Sequence, residues 1–161
     1  MRRLDQAIKL AVEIHEGQVD KGGNPYILHP LNVMCYVDKD LRNGSGRERR
    51  GDYLCAAVCH DIVEDYDREK YTEEQILEKV YFGLGEQAAT AIYCLTRKDK
   101  ESWKNYIQRV YENPIARFVK IRDIEDNCDI SRLKDITQED ENRHMMYIRA
   151  RNYLETGEGR L

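Results

Sequence analysis

The stretch Leu54-Cys55-Ala56-Ala57-Val58-Cys59-His60-Asp61-Ile62-Val63-Glu64-Asp65 begins almost wholly apolar and ends in ionisable residues. A helix that is apolar all round is a buried helix. The pattern therefore predicts a helix from about Asp52 to Asp65 that carries His60, Asp61, Glu64 and Asp65 into the interior or a cleft. At about 100° per residue these side chains span an arc of roughly 140°, with His60 beside Glu64 and Asp61 beside Asp65. Three acids and one imidazole in that position repel one another and lose hydration, so a cationic partner is required. A metal ion meets the requirement. An exposed polar helix end is the competing reading.

The rest of the chain limits the setting. Its 161 residues suffice for one domain with a proper core, and 1–161 is read as one domain. Charged residues make up 35%, yet apolar residues recur in periodic clusters, which predicts a folded domain with a charged surface. A net charge of −4 argues against general nucleic-acid binding. No run of 18 apolar residues occurs, so no membrane span is expected, and Met1-Arg2-Arg3-Leu4-Asp5 does not open an apolar leader. Cys35, Cys55, Cys59, Cys94 and Cys128 are odd in number and read as reduced core thiols of a cytoplasmic protein. With no paired CxxC motif, a zinc–thiolate site is not expected.

Leu4, Ala7, Ile8, Ala11, Ile14 and His15 recur at helical spacing and predict a helix over 4–17, with His15 on its apolar face as a core residue. Residues 18–26 form a turn-rich loop. Pro30 is expected to hold His29 out of the α region, at the fixed entrance of a second helix reaching about Leu41. Residues 42–50 read as a solvated basic loop. Further helices are predicted from the Thr72/Gln75 capping box to about Gly83, over 85–96, from Trp103 to Tyr111, from Asn113-Pro114 onward, and from Thr137 with Asp140 to about Glu155. No strand-like alternation, repeat or linker is present. The class is all-α, a bundle of seven or eight helices.

The helix after Pro114 also ends in charge, at Arg122-Asp123-Ile124-Glu125-Asp126-Asn127. His29, His60, Asp61 and Asp123 together offer two imidazoles and two carboxylates, a set suited to a divalent transition ion with room for water and a phosphate oxygen. Here the sequence resembles the HD superfamily of metal-dependent phosphohydrolases, and more narrowly the hydrolase domain of RelA/SpoT alarmone enzymes and the stand-alone small alarmone hydrolases. The resemblance covers roughly residues 4–150. It rests on His15-Glu16-Gly17-Gln18, Pro25-Tyr26-Ile27-Leu28-His29-Pro30, His60-Asp61-Ile62-Val63-Glu64-Asp65, Phe82-Gly83, Leu95-Thr96, and Val119-Lys120-Ile121-Arg122-Asp123 with Asn127.

The resemblance implies Mn²⁺ held by His29, His60, Asp61 and Asp123, with Glu64 and Asp65 positioning or activating water. It further implies that Asn127, and the pair Arg143 and Tyr147, contact a small nucleotide. Removal of the 3′-pyrophosphate from guanosine tetra- or pentaphosphate is the implied reaction. Lys21, Lys98 and Lys100 are available to meet phosphates. Asp20 stands where the family usually has arginine; an acid there can accept hydrogen bonds from a guanine edge or face solvent, and the glycine-containing loop favours solvent. Arg122 replaces the family's usual small residue before the last ligand. No synthetase region follows Leu161 in the sequence, so a hydrolase alone is expected. The alternatives are an HD nucleotidase acting on deoxynucleotides or another phosphorylated nucleotide, and a non-catalytic nucleotide-binding module.

Overall fold

The computed structural model describes residues 2–43, 47–129 and 136–161. Among them the secondary structure is helical: α1 (Arg3–Ile14), α2 (Leu28–Asn43), α3 (Arg50–Val58), the single turn α4 (Ile62–Asp65), α5 (Glu73–Leu84), α6 (Glu86–Leu95), α7 (Trp103–Glu112), α8 (Pro114–Asn127) and α9 (Gln138–Thr156). The only pairing of strand type among the described residues is an isolated bridge between Val19 and Pro25. The all-α reading holds, with eight helices of nine residues or more besides α4.

The organising stretch is the central element. Leu54 to Val58 on α3 are at most 3% exposed, and α3 packs against α1, α2, α6 and α8. Each fully buried Leu or Val of such a core contributes about 1.5–3 kcal/mol relative to exposure. Caps read from sequence are present: Thr72 exchanges bonds with Gln75, Asn113 Oδ1 accepts from the Ala116 amide, and Thr137 with Asp140 opens α9. The predicted stop near Gly83 moves to Gly85, whose φ of +89° ends α5. That φ favours glycine, and a side chain there would also displace the tip of Arg3, whose Nη1 would lie 2.7 Å away.

The helix predicted over 52–65 is broken. α3 ends at Val58, Cys59 to Asp61 form a tight turn, and α4 restarts at Ile62. The His60 Nδ1–H turns back to Ala57 O at 2.8 Å, and Ile62 N reaches Cys59 O at 3.4 Å. In a regular helix adjacent residues diverge by about 100°. The turn removes that divergence, and His60 Nε2 lies 2.9 Å from Asp61 Oδ2.

His29 also differs from expectation. It is the second residue of α2 instead of an extended residue before it, and its amide bonds Tyr26 O at 2.9 Å. Pro30 is tolerated because a first-turn residue has no helical partner for its missing N–H. Residues 44–46 of the predicted basic loop lie outside the described residues; 47–49 form a 3₁₀ turn. The five cysteines are free, Cys55 and Cys59 buried but Cys35 exposed, so the core reading fails for Cys35. No helix among the described residues is long and apolar enough to cross a membrane.

Candidate metal centre

Three separate elements deliver the predicted ligands to one point. His29 comes from the first turn of α2, His60 and Asp61 from the turn after α3, and Asp123 from α8. His29 Nε2 lies 3.1 Å from Asp123 Oδ1 and 3.6 Å from Asp61 Oδ2. His60 Nε2 lies 2.9 Å from Asp61 Oδ2 and 3.4 Å from Asp123 Oδ1. His29, His60 and Asp123 are at most 6% exposed. The ligand atoms of these three lie within 4.8 Å of one another; Asp61, the fourth predicted ligand, is not part of that set, although its Oδ2 lies against both Nε2 atoms.

Each histidine is fixed through its other nitrogen. His29 Nδ1 bonds Asp126 Oδ2 at 2.7 Å, and His60 Nδ1 bonds Ala57 O at 2.8 Å. Both Nε2 atoms are thereby left to the centre, the arrangement that orients metal-ligating histidines. His60 Nε2 is buried, and the groups it faces are the carboxylates of Asp61 and Asp123. Two carboxylates crowded together in the interior need positive charge between them. With two imidazole nitrogens facing them, a divalent cation would meet that need, and the donor set fits a borderline transition ion.

Balanced by protons alone, the centre is strongly polarised. Burial lowers the pKa of His29, but its bonds to Asp123 and Asp126 outweigh burial and raise it to about 9. His60 is held well above its ordinary value against burial by Asp61 and Asp123. Burial opposes ionisation of both aspartates, yet His60 holds Asp61 low, and Lys120 with the two histidines holds Asp123 well below the carboxylate range.

Three further residues brace the ligands. The Tyr26 hydroxyl donates to Asp61 Oδ2 at 2.7 Å. Lys120 Nζ lies 2.6 Å from Asp123 Oδ2 and 5.3 Å from the Tyr106 ring centroid. Asn127 Nδ2 donates to Asp123 Oδ1 at 2.6 Å and to its carbonyl at 3.1 Å.

Two pockets flank the centre. The first, about 300 Å³, is lined by Lys21, Tyr26, His29, Asn127, Arg143 and Tyr147, among others. Lys21 Nζ and Arg143 Nη2 both bond Asp140 Oδ1, at 3.0 and 2.9 Å. Asp140 thus gathers two predicted substrate cations while capping α9. The second pocket, about 620 Å³, contains Glu64, Tyr93, Arg97, Lys98 and Lys100. Lys98 is therefore apart from Lys21 and Arg143, its Nζ 4.9 Å from the Tyr93 ring centroid.

Glu64 and Asp65 turn to different neighbours. Glu64 Oε1 accepts the Arg97 amide at 2.5 Å, and burial raises the carboxyl's pKa despite that bond. Burial likewise raises Asp65, reinforced by the charge of Asp61 and opposed by His15.

No family model matches the chain. The guanosine-3′,5′-bis(diphosphate) 3′-pyrophosphohydrolase of Aquifex aeolicus is 32% identical over 132 residues, 77% of this chain and 17% of that protein. The bifunctional (p)ppGpp synthase/hydrolase SpoT of Escherichia coli K12 is 30% identical over 115 residues, 70% of this chain and 14% of SpoT. The chain is a relative of the HD-type RelA/SpoT hydrolases. It spans 14–17% of the length of these two relatives.

Within this RelA/SpoT-like chain, the departures at 20 and 122 have structural explanations. Asp20 lines the first pocket, and its Oδ1 accepts the Asn24 amide at 2.8 Å while its own amide bonds Asn24 O at 2.8 Å. Asp20 thus closes its own turn with exposed, local bonds to Asn24. Arg122 points away from the ligands and pairs with Asp40 and Glu125. His15 is a core residue, 2% exposed, bonding Gln18 Oε1 at 2.8 Å. Asp126 and Lys120 were not singled out from sequence. Their signal was present in part: residues three and four positions apart share a helix face, so 120, 123, 126 and 127 lie along one side of α8.

Proposed function

We propose that the chain is a divalent-metal hydrolase that removes the 3′-pyrophosphate of guanosine tetra- or pentaphosphate, or of a closely related alarmone, with Mn²⁺ as its ion and 1–161 as one hydrolase domain. The observation that carries this reading is the convergence of His29, His60, Asp61 and Asp123 with both Nδ1 atoms already engaged. The names of the relatives add the substrate class.

A divalent ion in this centre supplies a Lewis acid that makes water acidic near neutral pH and offsets charge on phosphoryl oxygens. The residues of the chain do the rest. Glu64, fixed through one oxygen by the Arg97 amide, keeps a carboxyl with a raised pKa at the edge of the centre. A carboxyl tuned upward is suited to take the proton of attacking water. Asp65, next to Glu64 and within reach of the Asp61 charge, assists in orienting that water. Water oxygen joins the phosphorus borne on O3′, the P–O3′ bond breaks, and a 3′-hydroxyl and pyrophosphate leave. Lys21 and Arg143 meet phosphates by exchanging Asp140 for substrate, Tyr147 and Tyr26 offer ring surface to the base, and Asn127 borders the same pocket. Lys98 reaches the nucleotide from the Glu64 side.

Asp20 at the pocket, in place of arginine, leaves the base identity to the test. With Mn²⁺ added, ppGpp, pppGpp, ppApp, NADPH and deoxynucleotide monophosphates are offered and the products identified. Pyrophosphate released from a 3′-position supports the reading. Inorganic phosphate from a deoxynucleotide, with alarmones untouched, overturns it.

A further inference from the structure

The charge cluster that braces Glu64 lies outside the metal centre, on α7. Arg109 engages all five of its N–H groups: Nε to Glu101 Oε1 at 2.9 Å, Nη1 to Tyr93 O at 3.1 Å and Cys94 O at 2.9 Å, and Nη2 to Thr96 O at 2.9 Å and Glu101 Oε2 at 2.7 Å. The three carbonyls belong to the end of α6 and its cap, where a helix leaves acceptors unpaired. Arg109 and Glu101 are 21% and 13% exposed, so this is a two-pronged, half-buried pair instead of a solvated one.

Glu101 passes the constraint on. Its Oε2 accepts the Lys98 amide at 3.0 Å, and its carbonyl accepts Arg97 Nε and Nη2 at 3.0 and 2.8 Å. The 96–101 loop is thus closed on itself with Lys100 at φ +60°, a conformation that a non-glycine residue keeps only where its surroundings enforce it. What the loop presents outward is the Arg97 amide, 2.5 Å from Glu64 Oε1.

We infer that Arg109 is a positioning residue for Glu64, acting through Glu101 and the Arg97 amide; this rests on the hydrolase reading above. A merely structural Arg109 would stabilise the α6–α7 corner with no particular link to Glu64. The two roles separate in a double-mutant cycle, because residues acting through one another lose additivity.

The experiment measures ppGpp hydrolysis with Mn²⁺ for the wild type, Arg109→Gln and Arg109→Lys, each with and without Glu64→Gln. Arg109→Gln is expected to lower kcat by about tenfold or more with KM within about twofold, since a misplaced catalytic group costs rate more than binding. Arg109→Lys recovers part of the loss. In the Glu64→Gln background the Arg109→Gln effect shrinks to about twofold or less. If Arg109→Gln does not fold, Glu101→Gln, which leaves Arg109 on the α6 carbonyls, is expected to give the same pattern. An unchanged kcat, or an equal loss in both backgrounds, overturns the inference. Amide exchange at Arg97 provides a reading free of turnover: it should quicken by about tenfold or more in Arg109→Gln. Unchanged protection overturns the inference even if activity falls. A wild type inactive on alarmones sinks the hydrolase reading, and with it the catalytic half of the inference, while the exchange result decides the clamp by itself.

Discussion

His29 and Asp126 join the first turn of α2 to the last turn of α8 through a 2.7 Å hydrogen bond, and this bond decides which nitrogen of His29 faces the metal centre. Asp126 is 4% exposed, so water does not readily replace it. Removing such a partner from a ligating histidine costs about 10–100-fold in metal affinity. Asp126→Ala is therefore expected to weaken Mn²⁺ binding within that range, as measured by titration calorimetry. Wild-type affinity in that variant would show that the bond does not orient His29.

The same histidine gives a pH dependence with opposite signs for the metal-free and metal-loaded protein. Its folded pKa of about 9 lies above the ordinary value of 6.5. A raised pKa means that the stabilisation from His29 is fully present below about 6.5 and is lost as pH rises through about 9. A metal ion must displace that proton, so its apparent affinity rises across the same window. Thermal unfolding from pH 6 to 9 is expected to show a falling Tm with chelator present and a widening gain on adding the ion. A gain that narrows with pH would contradict the assignment of His29 as ligand.

Glu64 and Asp65 carry charge near the centre without being among the four converging ligands. Glu64→Gln is expected to lower turnover by about two to four orders of magnitude, the range for loss of general acid–base assistance. Metal affinity and Tm should stay near wild type. Near-normal turnover in the Glu64→Gln, Asp65→Asn double variant would remove both residues from the chemistry.

Lys120 is the cation that balances Asp123 in the interior, at 2.6 Å. Breaking a buried pair from one side costs about 3–5 kcal/mol when the remaining charge has no other partner, and less where, as here, His29, His60 and Asn127 stay beside Asp123. Lys120→Met should therefore destabilise the metal-free protein measurably, by less than that range. Added Mn²⁺ should recover more Tm in the variant than in the wild type, since the ion restores positive charge beside Asp123. Equal recovery in both proteins would argue that Lys120 does not balance Asp123.

Much of the fold was legible because its signals are local. The Thr72/Gln75 and Thr137/Asp140 boxes, Asn113-Pro114, and the apolar run from Leu54 each specify their helix without reference to distant residues. The four candidate metal-ligating residues were legible as residue types next to apolar helices, and His29, His60 and Asp123 of them come together as a possible ion site. What escaped the sequence is what tertiary context decides. The break at Cys59–Asp61 is invisible in a helical wheel, yet it brings adjacent residues to one point. Lys120 and Asp126 looked like ordinary charges in a charged helix until α8 turned them inward, at least toward Asp123 and His29. Asp20 was weighed as a reader of base or a bystander, whereas its short-range bonds to Asn24 close a turn.

Whether hydrolysis depends on one ion held by His29, His60, Asp61 and Asp123 is decided by titrating Mn²⁺ into chelator-stripped protein while following ppGpp turnover and its products. The stripped protein is expected to show no turnover, with recovery that saturates at one ion per chain and releases pyrophosphate, and Asp123→Asn is expected to show no recovery. Full turnover in the stripped protein, or undiminished recovery in Asp123→Asn, would contradict it.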